Sequence, residues 1–398
     1  MRRYAEVLRA PHVAPLVAAT LLARFPIGIN ALAVVLYLRE KTGSFAVAGA
    51  VAGALAAGSG IGAPVQGRLV DRFGARRVLV RLAVVHACAL AAMVGCGEAG
   101  TPAGALLACG FAAGFAIPPT SSVLRSLWPT LLEGRPALLQ AAYALDSTLI
   151  ELIFIAGPLL TGAIAALTSP AAALVVSAVS VVSGTVAFSA LPPARALARE
   201  RYAEQRWLGA LASPGVRTLV ATSVPAGAGI GVCEVTLPAF SRAHGAAAAA
   251  GLLLAAWALG SGLGGLAYGA LPRRPSLRRT HLAVAAALPL SLLPLAAAPS
   301  VAVMALLVLP AGCCIAPLLA TRNELVGRVA PPGARTEAYT WPVTAFVGGL
   351  AAGSALAGTL VQGPGWRVAL LAAVGFAAVG ALVAAAGNRT LARPVPSV

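Results

Sequence analysis

Charged side chains are scarce in this sequence. Only 10% of its 398 residues are charged, 59% are hydrophobic, and the mean hydropathy is +0.88. Ordinary soluble domains carry about 25% charged residues, so the composition excludes a soluble enzyme. At roughly 20 residues per span the chain has room for about a dozen membrane helices and little else. We therefore expect the function to lie within the bilayer.

Lysine and paired cysteines are also lacking. Lys41 is the one lysine among 29 basic residues, and the abundance of arginine and alanine is typical of a GC-rich bacterial genome. The net charge of +17 does not indicate nucleic-acid binding, because the basic residues lie in short clusters between apolar runs. The six cysteines fall within apolar segments without the spacing of a metal site or a disulfide framework. We expect neither a metal nor a cofactor.

Apolar runs separated by Arg, Gly and Pro clusters predict twelve membrane-spanning helices. Nearly all basic residues fall on one side of this arrangement, and the positive-inside rule therefore puts both termini in the cytoplasm. We expect a multi-pass protein of a bacterial inner membrane. Numbered as spans 1 to 12, the predicted helices are residues 13–38, 45–66, 78–97, 103–124, 137–166, 171–191, 216–240, 247–270, 281–298, 301–322, 337–362 and 366–386.

The two halves of the sequence repeat one another. The run GSGIG at 58–62 recurs 202 residues later as GSGLG at 260–264, and Ala142-Tyr143 recurs 196 residues later as Ala338-Tyr339. Such self-similarity indicates a duplicated structural unit. It predicts an all-α integral membrane protein of two pseudo-symmetric six-helix bundles, residues 1–192 and 214–398, joined by a cytoplasmic linker at 193–213.

The segment after predicted span 2 carries the most specific motif, Gly-Arg-Leu-Val-Asp-Arg-Phe-Gly-Ala-Arg-Arg at 67–77. It resembles the GxLaDRxGRR signature of the major facilitator superfamily. That resemblance covers essentially the whole chain, and it implies a fold of two six-helix bundles with this segment in the cytoplasm between spans 2 and 3. The matching positions are Gly67, Asp71, Arg72, Gly74, Arg76 and Arg77.

The motif suggests contacts between the halves. Gly67 would permit close helix packing, and Asp71 can face the N-terminus of span 11 near 335–338, where the helix dipole favours an anion. Arg72, Arg76 and Arg77 can pair with acids or lipid phosphates. The resemblance implies that this segment latches the two halves together when the outside is open.

Spans 4 and 5 carry weaker signals. Gly157, Pro158 and Gly162 partly resemble the GxxxGPxxGG signature of antiporters in the same family, and the alternative is a plain Gly/Pro kink. Span 4 lacks the arginine that the family's proton antiporters carry about four residues before a glycine, since Gly110 stands there. Arg125, further along, is expected to anchor the membrane interface.

Four ionisable residues fall inside the spans, where a charge normally faces a cavity or a partner. They are Arg24, Asp146, Glu151 and Glu234. Asp146 and Glu151 lie five residues apart, hence on different faces of one helix. We favour Glu151 as the acid of the cavity and the partner of Arg24, with Asp146 in a structural pair near the cytoplasmic side. The alternative is that Arg24 binds an anionic group of the substrate. Asn30 offers hydrogen bonds to a substrate.

The leading functional hypothesis is a secondary transporter that exports a small amphiphilic or drug-like molecule by proton antiport. An importer of a small polar nutrient is the alternative. A membrane-embedded enzyme is less favoured, because the sequence has no catalytic motif and no nucleotide-binding loop. The expected partners are a small-molecule substrate, protons and membrane lipids, with no nucleic acid, for a protein acting as a monomer.

Overall fold

The computed structural model describes residues 2–196, 209–246, 249–272 and 276–392. Within these ranges the chain is helical without strands, and twelve helices have the length and composition to cross a membrane. Most of the predicted linker lies outside the described residues, so its boundaries stay a prediction. The spans are Val13–Thr42, Phe45–Phe73, Ala75–Glu98, Ala103–Leu131, Pro136–Leu167, Pro170–Ala190, Pro214–Ala243, Ala250–Ala270, Leu277–Ala297, Val301–Val329, Arg335–Gln362 and Trp366–Ala386.

The segment that carries the signature motif is helical, not a loop. Span 2 continues to Phe73 and span 3 begins at Ala75. Gly74 makes the turn between them with φ 88°, a conformation that residues with a Cβ rarely adopt. The predicted end at residue 66 was too early, because hydropathy falls at the first arginine while the helical hydrogen bonds continue. Asp71 therefore lies on the last turn of span 2.

The pseudo-symmetry of the halves shows in matched breaks and matched glycines. Spans 4 and 10 are each interrupted near the middle, after Phe115 and after Gly312. Gly58 and Gly62 press against the backbone of span 4, and the repeated Gly260 and Gly264 press against the backbone of span 10. A Cβ at any of these four glycines would clash with backbone atoms of the neighbouring span. The sequence repeat therefore corresponds to equivalent helix contacts in the two halves, between spans 2 and 4 and between spans 8 and 10.

The hydrophobic core differs between the two sides of the molecule. We call the side that holds the short helix Arg2–Arg9 and the Gly74 turn the linker side, and the other the far side. On the linker side one continuous core joins both halves and includes Tyr143 and Tyr339. Toward the far side each half has its own core, around Val51 in the first and Met304 in the second. Among the described residues, the hydrophobic core is therefore shared between the halves on the linker side and divided toward the far side.

Candidate functional site

Asp71 caps span 11 from the opposite half. Its Oδ1 accepts from the backbone N–H of Thr336 at 3.1 Å and its Oδ2 from that of Glu337 at 2.9 Å. These are donors of the first helical turn, where no backbone carbonyl is available and the dipole favours a negative charge. The contact expected between Asp71 and the start of span 11 is present.

Two neighbours of Asp71 complete this contact, which we call the latch. A Cβ on Gly67 would lie 2.8 Å from the Cα of Glu337, so only glycine permits this approach. Arg68 donates to Glu337 at 2.8 Å, and the carboxylate of Glu337 also accepts from Trp341 Nε1 at 3.2 Å. The latch consists of Gly67, Arg68, Asp71, Thr336 and Glu337. The other basic residues of the motif, Arg72, Arg76 and Arg77, are exposed at the linker side.

A second layer of contacts lies between the latch and the middle of the membrane. The hydroxyls of Tyr143 and Tyr339 are 2.5 Å apart, and both side chains are buried. These two residues are equivalent in the sequence repeat, so their meeting marks the pseudo-two-fold axis between the halves. Gln140, also of span 5, donates to the carbonyl of Tyr268 in span 8 at 2.5 Å.

The short N-terminal helix also joins the halves. Tyr4 donates to the carbonyl of Leu266 in span 8 at 2.8 Å. Burial raises the pKa of the Tyr4 phenol to about 12, so the hydroxyl keeps its proton, and hence this bond, throughout the physiological range of pH.

Arg24 pairs with Asp146, not with Glu151. Asp146 Oδ1 accepts from Arg24, and Oδ2 accepts from Arg125 Nε at 2.6 Å, with all three side chains buried. At 1.5 Å per residue, Arg24 and Asp146 lie about 16 Å and 15 Å into their spans, whereas Glu151 lies about 22 Å in. The expected pairing of Arg24 with Glu151 was therefore wrong, because the two residues lie at different depths in the membrane. Arg125 belongs to this buried group, which we call the charged triad, and does not anchor the interface.

Each half contributes one acid within its spans, Glu151 of span 5 and Glu234 of span 7, and we call these two residues the acid pair. Glu151, near the middle of span 5, accepts from Ser261 Oγ of span 8 at 2.9 Å. Glu234 lies in the far half of span 7. Glu151 is partly buried and Glu234 is exposed. One carboxylate from each half therefore lies at or beyond the end of the packed region, by which we mean the linker-side part of the interface where the halves are in contact.

The halves separate beyond the acid pair. Within the described parts of the chain, the hydrogen bonds between the halves lie between the linker side and the level of Glu151. In its far half, span 5 is buried only along the stripe of Ile153, Gly157 and Thr161. The described hydrogen bonds between the halves thus close the interface on the linker side and stop at the level of Glu151.

The comparisons with known proteins agree with this architecture. The family model described as Major Facilitator Superfamily matches residues 16–288. The chain belongs to the major facilitator superfamily. A search of curated proteins by sequence gave no match.

Solved structures of the major facilitator superfamily have the same fold. A bacterial homologue of the iron transporter ferroportin, solved in an outward-facing state, superposes with a TM-score of 0.74 at 17% identity, covering 94% of this chain and 99% of that one. The human organic anion transporter MFSD10 gives 0.70 at 16% identity, covering 96% and 99%. The proton:xylose symporter XylE gives 0.68 at 13% identity, covering 95% of each chain.

In this superfamily member Asn30, which was expected to offer hydrogen bonds to a substrate, does not lie between the halves. Asn30 is buried inside the N-terminal bundle, where its Oδ1 accepts from Ser177 at 2.5 Å and its Nδ2 is 3.4 Å from His86. Gly162 is exposed, and a Cβ at this position would meet no atom of another helix within 4 Å. The expectation that Asn30 faces a substrate was wrong, because its hydrogen-bonding groups are already used within its own bundle.

The antiporter-like segment of span 5 serves helix packing. Span 5 is continuous from Pro136 to Leu167 through Pro158, which is exposed. Gly157 packs directly against Gly28 of span 1, so the two backbones touch. Among the described residues no group of three or more His, Cys, Asp or Glu side chains is arranged to hold a metal ion.

Proposed function

We propose that this transporter exports a small amphiphilic or drug-like molecule in exchange for protons. Membership of the superfamily establishes a small-molecule transporter that works by alternating access. The acid pair is the observation that carries the finer proposal. Glu151 and Glu234 are protonatable and come from different halves, and Glu151 accepts a hydrogen bond from the opposite half near the middle of span 5. Groups with these properties can link the uptake of a proton to the separation of the halves.

Among the contacts that hold the halves together, the hydrogen bond between Glu151 and Ser261 is the one that protonation of Glu151 changes directly. As a carboxylate, Glu151 accepts from Ser261 across the interface. A proton arriving from the far side neutralises Glu151 and alters this bond, while the latch holds the other end of the interface. Release of substrate to the far side and entry of a proton from the same side then precede opening of the linker side.

The orientation of the protein is part of the proposal. The arginines concentrate at the linker side, and positively charged segments stay in the cytoplasm. The linker side is accordingly the cytoplasmic side of a bacterial inner membrane, and the far side faces outward. The span 5 segment that partly resembles antiporters and the small number of polar groups in the spans favour export over uptake of a polar nutrient.

Transport by proteoliposomes tests this proposal. The purified protein is reconstituted, a pH gradient is imposed, and a panel of amphiphilic compounds and polar nutrients is screened for movement in each direction. We expect amphiphilic compounds to move against the proton flux. Movement of a polar nutrient together with protons would instead establish an importer.

Glu151→Gln tests the role of the acid. We expect it to abolish movement driven by the pH gradient while substrate still binds, because the amide keeps the shape of the side chain but carries no titratable proton. Glu133→Gln, which neutralises an exposed acid between spans 4 and 5, is the control and should transport normally. Normal pH-driven accumulation by Glu151→Gln would show that another group couples the proton.

A further inference from the structure

A small cavity in the C-terminal bundle is lined by residues of spans 7, 9, 10, 11 and 12. Its volume is about 20 Å³, and roughly 10–15 Å³ is enough to hold one water-sized occupant. Alanine, leucine and phenylalanine side chains form most of its wall. The polar exceptions are Arg322, His281, Thr222 and Ser223. The cavity therefore has room for a single small molecule or ion beside a guanidinium.

Arg322 is a buried cation without a carboxylate partner among the described residues. Its side chain is 6% exposed, and Nη1 and Nη2 reach only Ser223 Oγ and Asn323 Oδ1, each at 3.4 Å. Its Nε has no hydrogen-bond partner. Burial of a charge that lacks a counter-charge is unfavourable, so this position favours a negative charge nearby.

His281 supplies a second unused group to the same cavity. It is 2% exposed, and its Nε2 has no hydrogen-bond partner. Its Nδ1 lies 2.9 Å from the hydroxyl of Thr321. The hydroxyl of Thr321 has competing acceptors, which include the carbonyl of Pro317 at 2.8 Å and His281 Nδ1. When it donates to Nδ1, the ring proton lies on Nε2, and an anion in the cavity would select this tautomer. Arg322 Nε and His281 Nε2 would then both donate to one occupant.

The N-terminal bundle shows what the C-terminal bundle lacks. In the charged triad, Asp146 neutralises the buried arginines of spans 1 and 4. The repeat offset of 196 residues places Pro342 at the position equivalent to Asp146. The C-terminal bundle thus has a buried arginine in span 10, Arg322, and no carboxylate at the position of span 11 that corresponds to Asp146. An anion from solution would supply the counter-charge.

We propose that the cavity beside Arg322 and His281 binds one small monovalent anion of the size of chloride. The apolar wall suits a weakly hydrated ion, and the volume leaves no room for a carboxylic acid of metabolite size. The site is separate from the acid pair and does not depend on the direction of transport. Its occupancy neutralises Arg322 and holds span 10 against spans 7 and 9.

Thermal unfolding in detergent tests this site at constant ionic strength. We expect chloride and bromide to raise the melting temperature of the wild type relative to gluconate, which is too large for the cavity. Arg322→Gln should remove this halide dependence, because it removes the charged donor, whose hydrogen bond accounts for about a tenfold or greater change in affinity. Arg242→Gln, at an exposed arginine of span 7, is the matched control and should keep the halide dependence.

Wild-type crystals soaked in bromide show directly whether the cavity holds an anion. This measurement does not require Arg322→Gln to fold. Anomalous density between Arg322 and His281 supports the proposal. His281→Phe, which keeps a ring but removes the donor, should weaken the halide effect. Equal melting temperatures in chloride and gluconate, with only a water molecule in the cavity, would overturn it. So would a halide effect that survives unchanged in Arg322→Gln.

Discussion

At the scale of single residues, the charged triad is unequal: two arginines share one carboxylate. Asp146 accepts from both Arg24 and Arg125. Removing one arginine leaves a neutral buried pair, whereas removing the acid leaves two buried cations that repel each other. The consequences of substitution should therefore be asymmetric, although all three residues are about equally buried.

We expect Asp146→Asn to destabilise the protein far more than Arg24→Gln. Loss of one partner from a buried ion pair costs about 3–5 kcal/mol, and Asp146→Asn removes the partner of two arginines. The measurement is the yield of monodisperse protein and its melting temperature in detergent, with Arg242→Gln as the control. If Arg24→Gln proved the more damaging change, the triad would not be the main source of this stabilisation.

The triad also shows where sequence reasoning reached its limit. The scarcity of charge in the spans pointed to Arg24 and to a span 5 acid, but the choice between Asp146 and Glu151 needed the relative depth of two helices. Helical periodicity indicates which face of a helix a residue occupies. It does not give the depth of that residue relative to residues of another span. The roles of Arg125 and of Arg68 were missed for the same reason, since each depends on a partner distant in sequence.

At the scale of helices, the latch depends on how closely spans 2 and 11 approach. The backbone contact at Gly67 sets that distance, and the bonds from Thr336 and Glu337 to Asp71 require it. The contact between spans 2 and 11 was predictable from the sequence. The motif places a glycine and an aspartate at the end of span 2, and the helix dipole favours an acid at the N-terminus of span 11. The meeting of Tyr143 and Tyr339 had a signal in the repeat, since equivalent residues can meet at a symmetry axis.

Gly67→Ala tests the close approach of the two spans. We expect it to slow transport at equal expression, because its Cβ would lie 2.8 Å from the Cα of Glu337 and force the spans apart. Gly60→Ala lies on the same helix, where a Cβ meets no atom within 4 Å, and should transport normally. Equal rates for the two variants would show that closure tolerates a wider spacing and that the latch does not limit the cycle.

At the scale of the whole molecule, the structure is one state of a cycle. One core joins the halves on the linker side, and two separate cores lie toward the far side. Alternating access requires the contacts of the linker side to break and the far side to close. The latch, the tyrosine pair and the Glu151 to Ser261 bond must therefore all be reversible in each transport cycle.

A reversible cross-link between spans 5 and 8 tests this requirement most directly. The Cβ of a residue at position 265 would lie 3.8 Å from the Cβ of Thr148, within the roughly 3.5–4.5 Å that a disulfide needs. The pair Thr148→Cys and Gly265→Cys is introduced after the six native cysteines are replaced, and each single variant is the control for crowding against Ala316. In proteoliposomes we expect oxidation to stop transport of any compound that the wild type moves, and reduction to restore it. Transport at an unchanged rate with the disulfide formed would contradict alternating access through these contacts.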